Sequence, residues 1–587
     1  MLDDDLIASL DWSRARSVQE AMDEREAIMA RIERQAATLR RQGACRHWLK
    51  EVDDIVWTVS IGVHGPLLAA LAKEAVYHDA ACVDLFKSGG PLVGPLVRSG
   101  NGGDVAHQSS DSIPTDVLRA ERFKRNHSIL DGLREDRKHS FDLLEMCRKD
   151  AELGRMSMPK PISYFGLSEA TFSPRFCIEQ GTRPDGSPKL RAVDDFSVSG
   201  CNAAAVASER LKTDSLDAYL ELLQSLYAHS GSDISMWKAD IDSAYRRVPV
   251  APEHRDFGWV AFKHHDAIYA SQHYCLPFGS MPSVHHWDRV GSLLRALARR
   301  VLFLPVLRFV DDFYAACRSA EVEHAMQIFA RLVRCLFGAD SIAAHKLEFG
   351  NPLTVLGVAI SLKASGIRFR PEPCKLIKWA AIIKHALDTN KLCAGAASKL
   401  AGRLMWACQH AFKRIGRAML YPIFKQQRNR CGSIDIELRL ALEWWLEVLS
   451  LELCEAMPWQ QQITKPMHML CDARSTPPRV AAVLLANKRV YYSDMEPSEA
   501  VMSNFRIRGD NQIMSLELLS IAFGLSVFED IVRGNCLHVH SDNTGAQHCT
   551  ARGMARSFDH TCLVHGIWMR AAELNTGQFP FFIACER

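Results

Sequence analysis

The chain has 587 residues, enough at roughly 150 residues per domain for three or four domains with cores of their own. Hydrophobic residues make up 48% of it and charged residues 24%. These values are close to the average of soluble globular proteins, which excludes wholesale disorder and a fibrous repeat. The formal net charge of +3 indicates no partner by itself, so a nucleic-acid-binding surface has to be sought as a local excess of charge.

Cysteine usage and the N-terminal sequence indicate the cellular compartment of the protein. The 18 cysteines are scattered without a Cys-x-x-Cys pair, which argues against zinc ribbons and a disulfide scaffold and favours a reducing environment. The N-terminus is acidic, unlike a signal peptide, and no run of 18 apolar residues follows. We therefore expect an intracellular protein without a membrane partner, either cytoplasmic or nuclear.

Residues 1–110 are predicted to be a helical N-terminal extension that ends in a linker. The first 85 or so residues are rich in Ala, Glu, Arg and Leu, with few helix breakers and with apolar residues at helical spacing. Residues 88–114 are dense in Gly, Ser and Pro, which is typical of a linker. We place a domain boundary between about 110 and 160. The sequence indicates no function for the extension.

From residue 176 the pattern changes to short β-prone runs separated by turn residues. Residues 176–180 and 189–193 flank a Pro-Asp-Gly turn at 184–186, which predicts a β-hairpin.

Three segments after this hairpin carry candidate catalytic residues. An apolar strand leads to Asp240, and Tyr245 follows five residues later. The second segment is a Cys-Leu-Pro-Phe-Gly sequence that ends at Gly279, and the third places Asp311 and Asp312 at the tip of an apolar hairpin. Each segment alone has a plain structural explanation, as a solvated turn or a chance match.

In this order, with 71 residues from Asp240 to Asp311, the segments resemble motifs A, B and C of reverse transcriptases. The resemblance implies nucleotidyl transfer with two divalent metal ions, Mg²⁺ or alternatively Mn²⁺. Magnesium prefers carboxylate oxygens, so Asp240 and Asp311 would be the principal ligands, with Asp312 beside them. Asp242 competes with Asp240 because alternate residues share a strand face, but the family spacing favours Asp240.

The resemblance also implies contacts to the nucleotide. Tyr245 matches the position whose ring crowds the 2′-carbon of the incoming nucleotide, which implies selection of deoxynucleotides; packing in the core is the alternative. Arg191 falls where the family contacts the triphosphate, with Lys189 on the same strand face, and Gly279 is the motif B glycine. Lys346 matches the motif D lysine, a proton donor to pyrophosphate, with an exposed structural lysine as the alternative.

The most specific resemblance is to reverse transcriptases of tyrosine-recombinase (DIRS-like) retrotransposons. These share an Asp-Asp-Phe-Ser strand, here residues 194–197, the Leu-Pro-Phe-Gly of motif B, and a thumb segment like residues 399–406. One departure is that Pro282 follows Gly279 at the third position, whereas many relatives have proline or small residues at the fourth or fifth. The resemblance covers about residues 160–587.

The sharpest charge asymmetry lies between residues 366 and 430, which contain 14 Lys or Arg and two acidic residues. Much of this basic arm is predicted to be helical. Spacings of 7, 4 and 3 place one set of basic side chains on a single helix face: Arg403, His410, Arg414 and Arg417. An ordinary solvated face is the alternative, but the scarcity of acidic residues favours a surface that binds phosphates.

Residues 465–587 alternate β-like runs and helices in the order β-β-β-α-β-α and are predicted to form a separate domain. Asp472 and Asp542 end apolar strands, and Glu517 lies in a helix-like run between them. This order resembles the RNase H fold, which implies a carboxylate set that binds two metals and activates water against RNA. The family's fourth acidic ligand has no clear counterpart, and Glu586 is not assigned to it. We therefore expect a C-terminally incomplete domain, and the sequence does not decide whether it has RNase H activity.

The predicted fold is α+β: a right-hand polymerase (fingers, palm and thumb) followed by an RNase H-like α/β domain, with a helical N-terminal extension. Fingers and palm would span 161–365, and the basic helical thumb and connection 366–460. The predicted function is RNA-directed DNA synthesis by a retrotransposon enzyme, with an RNA template, a DNA or RNA primer and deoxynucleoside triphosphates as partners. The alternatives are an inactive retroelement remnant that binds nucleic acid, and an RNA-directed RNA polymerase, which Tyr245 disfavours.

Overall fold

A computed structural model describes residues 2–105, 112–182, 186–410, 415–429, 431–451, 455–459 and 466–574. The chain divides into two compact units, Met1–Leu356 and Gly357–Arg587. Each unit contains both helices and sheets, so the predicted mixed composition is confirmed.

Helices and strands alternate through the first unit. Its helices are α1 (Asp4–Arg14), α2 (Val18–Arg41), α3 (Ala44–Trp48), α4 (Asp54–Ser60), α5 (Gly65–Glu74), α6 (Leu85–Ser88), α7 (Thr115–Ala120), α8 (Arg122–Gly132), α9 (Ser140–Glu152), α10 (Leu216–Ser230), α11 (Met281–Arg300) and α12 (Val322–Phe337). Its strands are β1 (Gly94–Pro95), β2 (Lys160–Pro161), β3 (Phe172–Thr182), β4 (Pro188–Asp194), β5 (Ala205–Val206), β6 (Ile234–Asp240), β7 (Trp259–His264), β8 (Ala267–Gln272), β9 (Leu307–Phe309), β10 (Asp312–Arg318), β11 (Leu347–Gly350) and β12 (Leu353–Val355).

The N-terminal helices share a core with the rest of the first unit. Met29 of α2 and Leu67 of α5 belong to the same buried cluster as Trp237 of β6. The Gly-, Ser- and Pro-rich stretch that we interpreted as a linker also takes part in the fold, since β1 pairs in parallel with β5. The extension is helical, as its composition indicates, but it is packed into one compact unit with the residues that follow it.

Two sheets organise the candidate site of the first unit. One has the strand order β2-β8-β7-β3-β4, and β3 and β4 form the hairpin whose strands the sequence predicted. The other is antiparallel with the order β11-β6-β10-β9. Helices α10 and α12 pack against this second sheet. Its strands come from sequence positions far apart, and they meet where the predicted carboxylates lie.

The second unit also alternates helices and strands. Its strands are β13 (Val358–Lys363), β14 (Gly366–Pro371), β15 (Glu455–Met457), β16 (Met467–Ser475), β17 (Pro478–Ala486), β18 (Arg489–Met495) and β19 (Leu537–His540). Its helices are α13 (Pro373–Thr389), α14 (Ala394–His410), α15 (Tyr421–Gln426), α16 (Ile436–Ser450), α17 (Glu499–Met502), α18 (Ile513–Val527), α19 (Glu529–Val532), α20 (Thr544–Arg552) and α21 (Phe558–Glu573).

The basic arm is helical but not one continuous helix, which corrects the prediction of a single face from residue 403 to 417. Helix α14 ends at His410, and Arg417 lies in a bend before a short 3₁₀ helix. Gly416 precedes it with φ +80, and a Cβ at this position would come within 2.7 Å of the rings of Trp444 and Trp445. The close approach of these two rings and the left-handed backbone both require glycine at this position. Arg414 lies outside the described residues.

The C-terminal part of the second unit contains the predicted order β-β-β-α-β-α, with α17, α19 and α20 as additional short helices. Its sheet has the order β18-β17-β16-β19, in which β16 and β19 are parallel and the other pairs antiparallel. Helices α18 and α21 cover one face, where Met469, Leu484 and Val539 are buried. On the opposite face Leu470 is 45% exposed and Tyr492 81% exposed. This face of the sheet is open over the described residues.

Two further sequence expectations can be compared with the structure. Among the described residues, no single helix has the length and hydropathy of a membrane span, although α4 and α5 reach them together across a 66° bend. The apolar side chains of α5, such as Leu67 and Leu71, are buried in the core. Every cysteine that the structure describes is a free thiol.

Candidate active site

The predicted polymerase carboxylates meet at one end of the β11-β6-β10-β9 sheet. Asp240 is the last residue of β6 and Asp312 the first of β10, and the two are direct partners across the antiparallel pair. Asp311 lies in the two-residue turn between β9 and β10. Its carbonyl accepts a hydrogen bond of 3.3 Å from the backbone N–H of Ile241. Strand pairing therefore brings all three carboxylates to one edge.

Burial and, after it, mutual repulsion raise the pKa values of two aspartates in this cluster. Burial and the charge of Asp240 raise the pKa of Asp311. Partial desolvation, together with the charges of Asp311 and Asp240, raises the pKa of Asp312 to about 6. Adjacent carboxylates whose ionised forms destabilise one another are a donor set that a hard divalent cation fits, because it supplies the missing positive charge.

Lys346 partly neutralises the cluster. Its Nζ lies 2.9 Å from Oδ2 of Asp240 and 3.1 Å from Oδ1 of Asp242. Burial would raise the pKa of Asp242, but the hydrogen bond and charge of Lys346 lower it. Asp240 and Asp242 thus bind the same ammonium group, and Asp242 remains the competing ligand that the sequence left open.

The turn that carries Asp311 is strained, and hydrogen bonds to the carbonyl of Val310 hold it in place. Val310 has φ +55, a left-handed conformation that is costly for a β-branched residue. Its carbonyl accepts hydrogen bonds from Trp287 Nε1 at 3.1 Å and from an Arg308 Nη1 at 2.8 Å. Arg308 is buried and forms an ion pair with Asp288 of α11. The sequence analysis missed these residues because they act through tertiary contacts and carry no motif.

Arg191 and Tyr245 both contact the ring of Phe278. The guanidinium carbon of Arg191 is 4.3 Å from the ring centroid of Phe278, which is 5.1 Å from that of Tyr245. Burial and the charge of Asp311 raise the pKa of Tyr245 to about 12, and the charge of Arg191 counteracts them. The two predicted nucleotide contacts are therefore close to Asp311. Phe278, which joins them, was not singled out, although it belongs to the Leu-Pro-Phe-Gly segment.

Gly279 occupies a position that admits no side chain. Its φ is +93, and a Cβ there would collide with the backbone carbonyl of Asp194. Asn202 fixes the loop, since its side-chain amide donates to the Gly279 carbonyl at 3.0 Å and its side-chain oxygen accepts from the Met281 N–H at 2.9 Å. Pro282 lies in the first turn of α11, where a missing N–H is tolerated. The departure in motif B is thus compatible with the helix.

A buried ionic network supports the strand that carries Arg191. Arg175 and His273 each lie 2.9 Å from the carboxylate of Asp194, at the end of β4. Burial alone would raise the pKa of Asp194, but Arg175 and His273 lower it to about 2. Burial and the charge of Arg246 lower the pKa of His273 to about 4. Asp194 is therefore an ionised structural residue.

A second carboxylate cluster forms in the C-terminal part of the second unit. Asp472 of β16, Glu517 of α18 and Asp542 just after β19 have carboxylate oxygens that all lie within 4.8 Å of one another. Glu517 is buried and accepts a hydrogen bond of 3.2 Å from Ser541. Burial and the charges of Asp472 and Asp542 raise the pKa of Glu517 to about 7. The structure brings together the three residues that the sequence grouped. Glu586 lies outside the described residues.

Two of the predicted basic residues of the arm, Arg403 and Arg417, lie within the described residues. Arg403 is half-buried on α14. The Nε of Arg417 lies 3.5 Å from the sulfur of Met405. Arg417 also lines a groove with Arg552 and Arg556, which follow in the sequence at a spacing of four. Arg552 ends α20 and Arg556 lies beyond its C-cap at Gly553, so no local spacing in the sequence connects these residues with Arg417.

Comparison with known proteins gives structural similarity only. No protein-family model matches the chain, and no curated protein matches it. Three similar solved structures are of a foamy viral protease-reverse transcriptase. The complex with an RNA/DNA hybrid has 13% identity and a TM-score of 0.40, and covers 73% of this chain and 52% of that chain. A dRH form with double-stranded DNA has 12% identity and a TM-score of 0.36, over 80% and 82% of the two chains. The complex with double-stranded DNA has 12% identity and a TM-score of 0.35, over 75% and 92%. This chain thus spans about half of the first of these proteins.

Proposed function

We propose that the chain is an RNA-directed DNA polymerase of a retrotransposon, of the tyrosine-recombinase (DIRS-like) type. The observation that carries the proposal is the pairing of Asp240 with Asp312 on adjacent strands, with Asp311 in the turn beside them. Nucleotidyl transfer needs such a convergence of carboxylates. The order of the motifs along the chain and the contacts of Lys346, Arg191 and Tyr245 support the same function.

Mg²⁺ is the proposed cofactor, with Mn²⁺ as the alternative, and Asp240, Asp311 and Asp312 would hold it. When bound, two such ions would stabilise the charges on the attacking 3′-oxygen and on the leaving pyrophosphate. The protein's own groups would bind and orient the substrate. Arg191 would bind the triphosphate, and Lys346 would hold a proton for the pyrophosphate.

Tyr245 decides between DNA and RNA synthesis in this proposal. Its ring is packed against Phe278 and lies near Asp311, so it is held in one place and could exclude a 2′-hydroxyl. This contact favours DNA synthesis from deoxynucleotides over the alternative, RNA-directed RNA synthesis.

The second carboxylate cluster supports a proposed RNase H-like nuclease function for residues 465–587. The carboxylate oxygens of Asp472, Glu517 and Asp542 lie within 4.8 Å of one another. These residues would hold the metal ions that activate water against an RNA phosphodiester. This function would remove the RNA strand of the hybrid that the polymerase makes.

The basic arm, proposed as a thumb over residues 366–460, would contact the template and primer. Arg403, Arg414 and Arg417 are the candidate phosphate contacts. The groove of Arg417, Arg552 and Arg556 extends this basic surface within the second unit. The fingers and palm would span residues 161–365.

The test is primer extension on a poly-ribonucleotide template with deoxynucleotides and Mg²⁺. The wild-type chain should extend the primer, and the Asp311→Asn/Asp312→Asn variant should not. Asp266→Asn, an exposed carboxylate in the turn between β7 and β8, is the matched control and should extend normally. Template binding without extension by the wild type would refute the polymerase and favour the inactive remnant.

A further inference from the structure

Helix α11 is fixed to the N-terminal extension at two points of one helix face. Arg289 of α11 forms a bidentate ion pair with Asp79 of the extension, in which its Nε lies 2.8 Å from Oδ2 and its Nη2 lies 2.7 Å from Oδ1. Three residues earlier on α11, the Nε2 of His286 lies 2.9 Å from the carbonyl oxygen of Pro91. Residues three apart lie on the same face of a helix. This face of α11 is therefore held by the extension.

The two residues between these contacts act on the turn that carries Asp311. The Nε1 of Trp287 donates to the carbonyl of Val310 at 3.1 Å. Asp288 forms an ion pair with Arg308, whose Nη1 donates to the same carbonyl at 2.8 Å. Four consecutive residues of one helix thus connect the extension with the turn beside a proposed metal ligand.

The ion pair between Asp79 and Arg289 is suited to fix the position of α11. Both residues are buried. Burial alone would lower the pKa of Arg289, but the hydrogen bond and the charge of Asp79 raise it, so the arginine stays charged. Two parallel hydrogen bonds from one planar guanidinium fix orientation as well as distance. The pair therefore restrains both sliding and rotation of α11 against the extension.

The extension contacts the surroundings of the site through its backbone as well. The N–H of Gly90 donates to the carbonyl of Pro249 at 2.8 Å, and its carbonyl accepts a hydrogen bond of 3.1 Å from the N–H of Ala251. The next apolar residue, Leu92, is buried in the same cluster as Trp287. Residues 79–92 of the extension are thus packed into the part of the first unit that carries the site.

We propose that the N-terminal extension positions the metal-binding turn of the polymerase site, with Asp79 and Arg289 as the positioning residues that act through α11. The inference rests on the proposed function, which assigns Asp311 to the metal ions of nucleotidyl transfer. Asp79 acts through Arg289 and the hydrogen bonds that α11 gives to the turn. The extension, for which the sequence indicates no function, is then required for the rate of synthesis.

The test compares Asp79→Asn with the wild-type full-length chain in single-turnover primer extension. Asparagine keeps the shape of the side chain and removes its charge. The maximal rate should fall about 10-fold, with less than about a 2-fold change in the nucleotide concentration for half-maximal rate, since misplacement of a reacting group acts on the chemical step. The matched control is Asp53→Asn, because Asp53 joins the extension to Arg255, which lies outside α11. This control should extend at the wild-type rate.

Hydrogen exchange distinguishes positioning of the turn from a general loss of stability. In Asp79→Asn, the amides of residues 307–314 should exchange faster, whereas those of the β7–β8 hairpin in the same unit should not change. A second variant, Asp79→Leu/Arg289→Met, replaces the pair by apolar side chains and leaves no buried charge unpaired. It should unfold in urea at the wild-type midpoint and show the same loss of rate.

Two results would overturn the proposal. One is a wild-type rate in Asp79→Leu/Arg289→Met, and the other is exchange in Asp79→Asn that rises equally in residues 307–314 and in the β7–β8 hairpin. Failure of the proposed function gives a different result, in which the wild type itself does not extend the primer. Faster exchange confined to residues 307–314 would in that case still support the hold of the extension on the turn.

Discussion

Sugar selection would depend on one side chain, that of Tyr245. We predict that Tyr245→Ala lowers discrimination against ribonucleotides by about 100-fold, since removing a steric clash of this kind is worth about 3 kcal/mol. Tyr245→Phe keeps the ring and its contact with Phe278, so it should discriminate like the wild type. The ratio of kcat/KM for the two nucleotide types measures the effect. Equal ratios in the alanine variant and the wild type would contradict the proposed role.

The raised pKa of Glu517 predicts that the stability of the folded chain depends on pH. Its pKa is raised from 4.5 to about 7, so the folded chain binds a proton that the unfolded chain releases between these values. This site's contribution to stability is therefore complete below about pH 4.5 and is lost as the pH rises towards 7. In chelator, we expect the wild type to lose about 2 kcal/mol from this site between pH 5 and pH 8.

Urea unfolding at the two pH values checks this prediction. Glu517→Gln should lose most of the dependence, and Glu496→Gln, an exposed acid, should keep it. Added Mg²⁺ should restore stability at the higher pH, because a cation compensates the ionised carboxylates. A pH dependence that is identical in wild type and Glu517→Gln would show that Glu517 titrates normally.

At the scale of elements, the β9–β10 turn depends on helix α11. Trp287 and Arg308 both donate to the carbonyl of Val310, and they hold a strained turn beside Asp311. We predict that Trp287→Phe, which removes one donor and keeps an aromatic ring, lowers kcat about 10-fold, because small misplacements of a reacting group are costly. Nucleotide KM should change little.

Single-turnover primer extension measures this effect. Trp57→Phe, an exposed tryptophan on α4, is the matched control. If Trp287→Phe retains wild-type single-turnover rates, the turn is held sufficiently by Arg308 alone.

At the scale of the whole molecule, the N-terminal helices are part of the first unit's core. Arg25 of α2 is fully buried and forms an ion pair of 2.7 Å with Glu321, and it also donates to the carbonyls of Leu302 and Phe303. We predict that Arg25→Ala destabilises the first unit by about 3 kcal/mol, because it removes a buried ion pair and leaves Arg318 as the remaining partner of the buried Glu321 carboxylate.

Denaturant unfolding measures the loss of stability in Arg25→Ala. Hydrogen exchange of the β10 amides measures whether that loss extends from the N-terminal helices to the sheet. Arg34→Ala, on the exposed side of the same helix, should change stability little. Faster exchange in β10 of Arg25→Ala is expected if the helices and the sheet unfold together. Unchanged exchange would mean that the helices form an independent layer.

Local patterns in the sequence were sufficient for most elements, whereas the carboxylates also needed the family resemblance. Alternation of apolar residues indicates that Asp240 and Asp311 follow strands. Their meeting at one sheet edge was implied by the order of the motifs, which resembles that of reverse transcriptases. Most C-terminal elements could be predicted from periodicity, which a single sequence contains.

Tertiary contacts between distant positions could not be predicted. Asn202, Arg308 and Phe278 hold the loops around the site, but their residue types are ordinary and their partners are remote. The position of Arg417 outside a helix was missed because Gly416, which precedes it, is held against Trp444 and Trp445 by a tertiary contact that the sequence does not indicate. The packing of the N-terminal helices into the first unit was missed because Arg25 pairs with a residue 296 positions away.

The contact of Lys346 with Asp240 and Asp242 gives these carboxylates a counter-ion from the chain itself. A cation held by Asp240 would compete with the Lys346 ammonium group for the same carboxylate. Metal binding and the position of the proposed proton donor would thus be coupled through one aspartate.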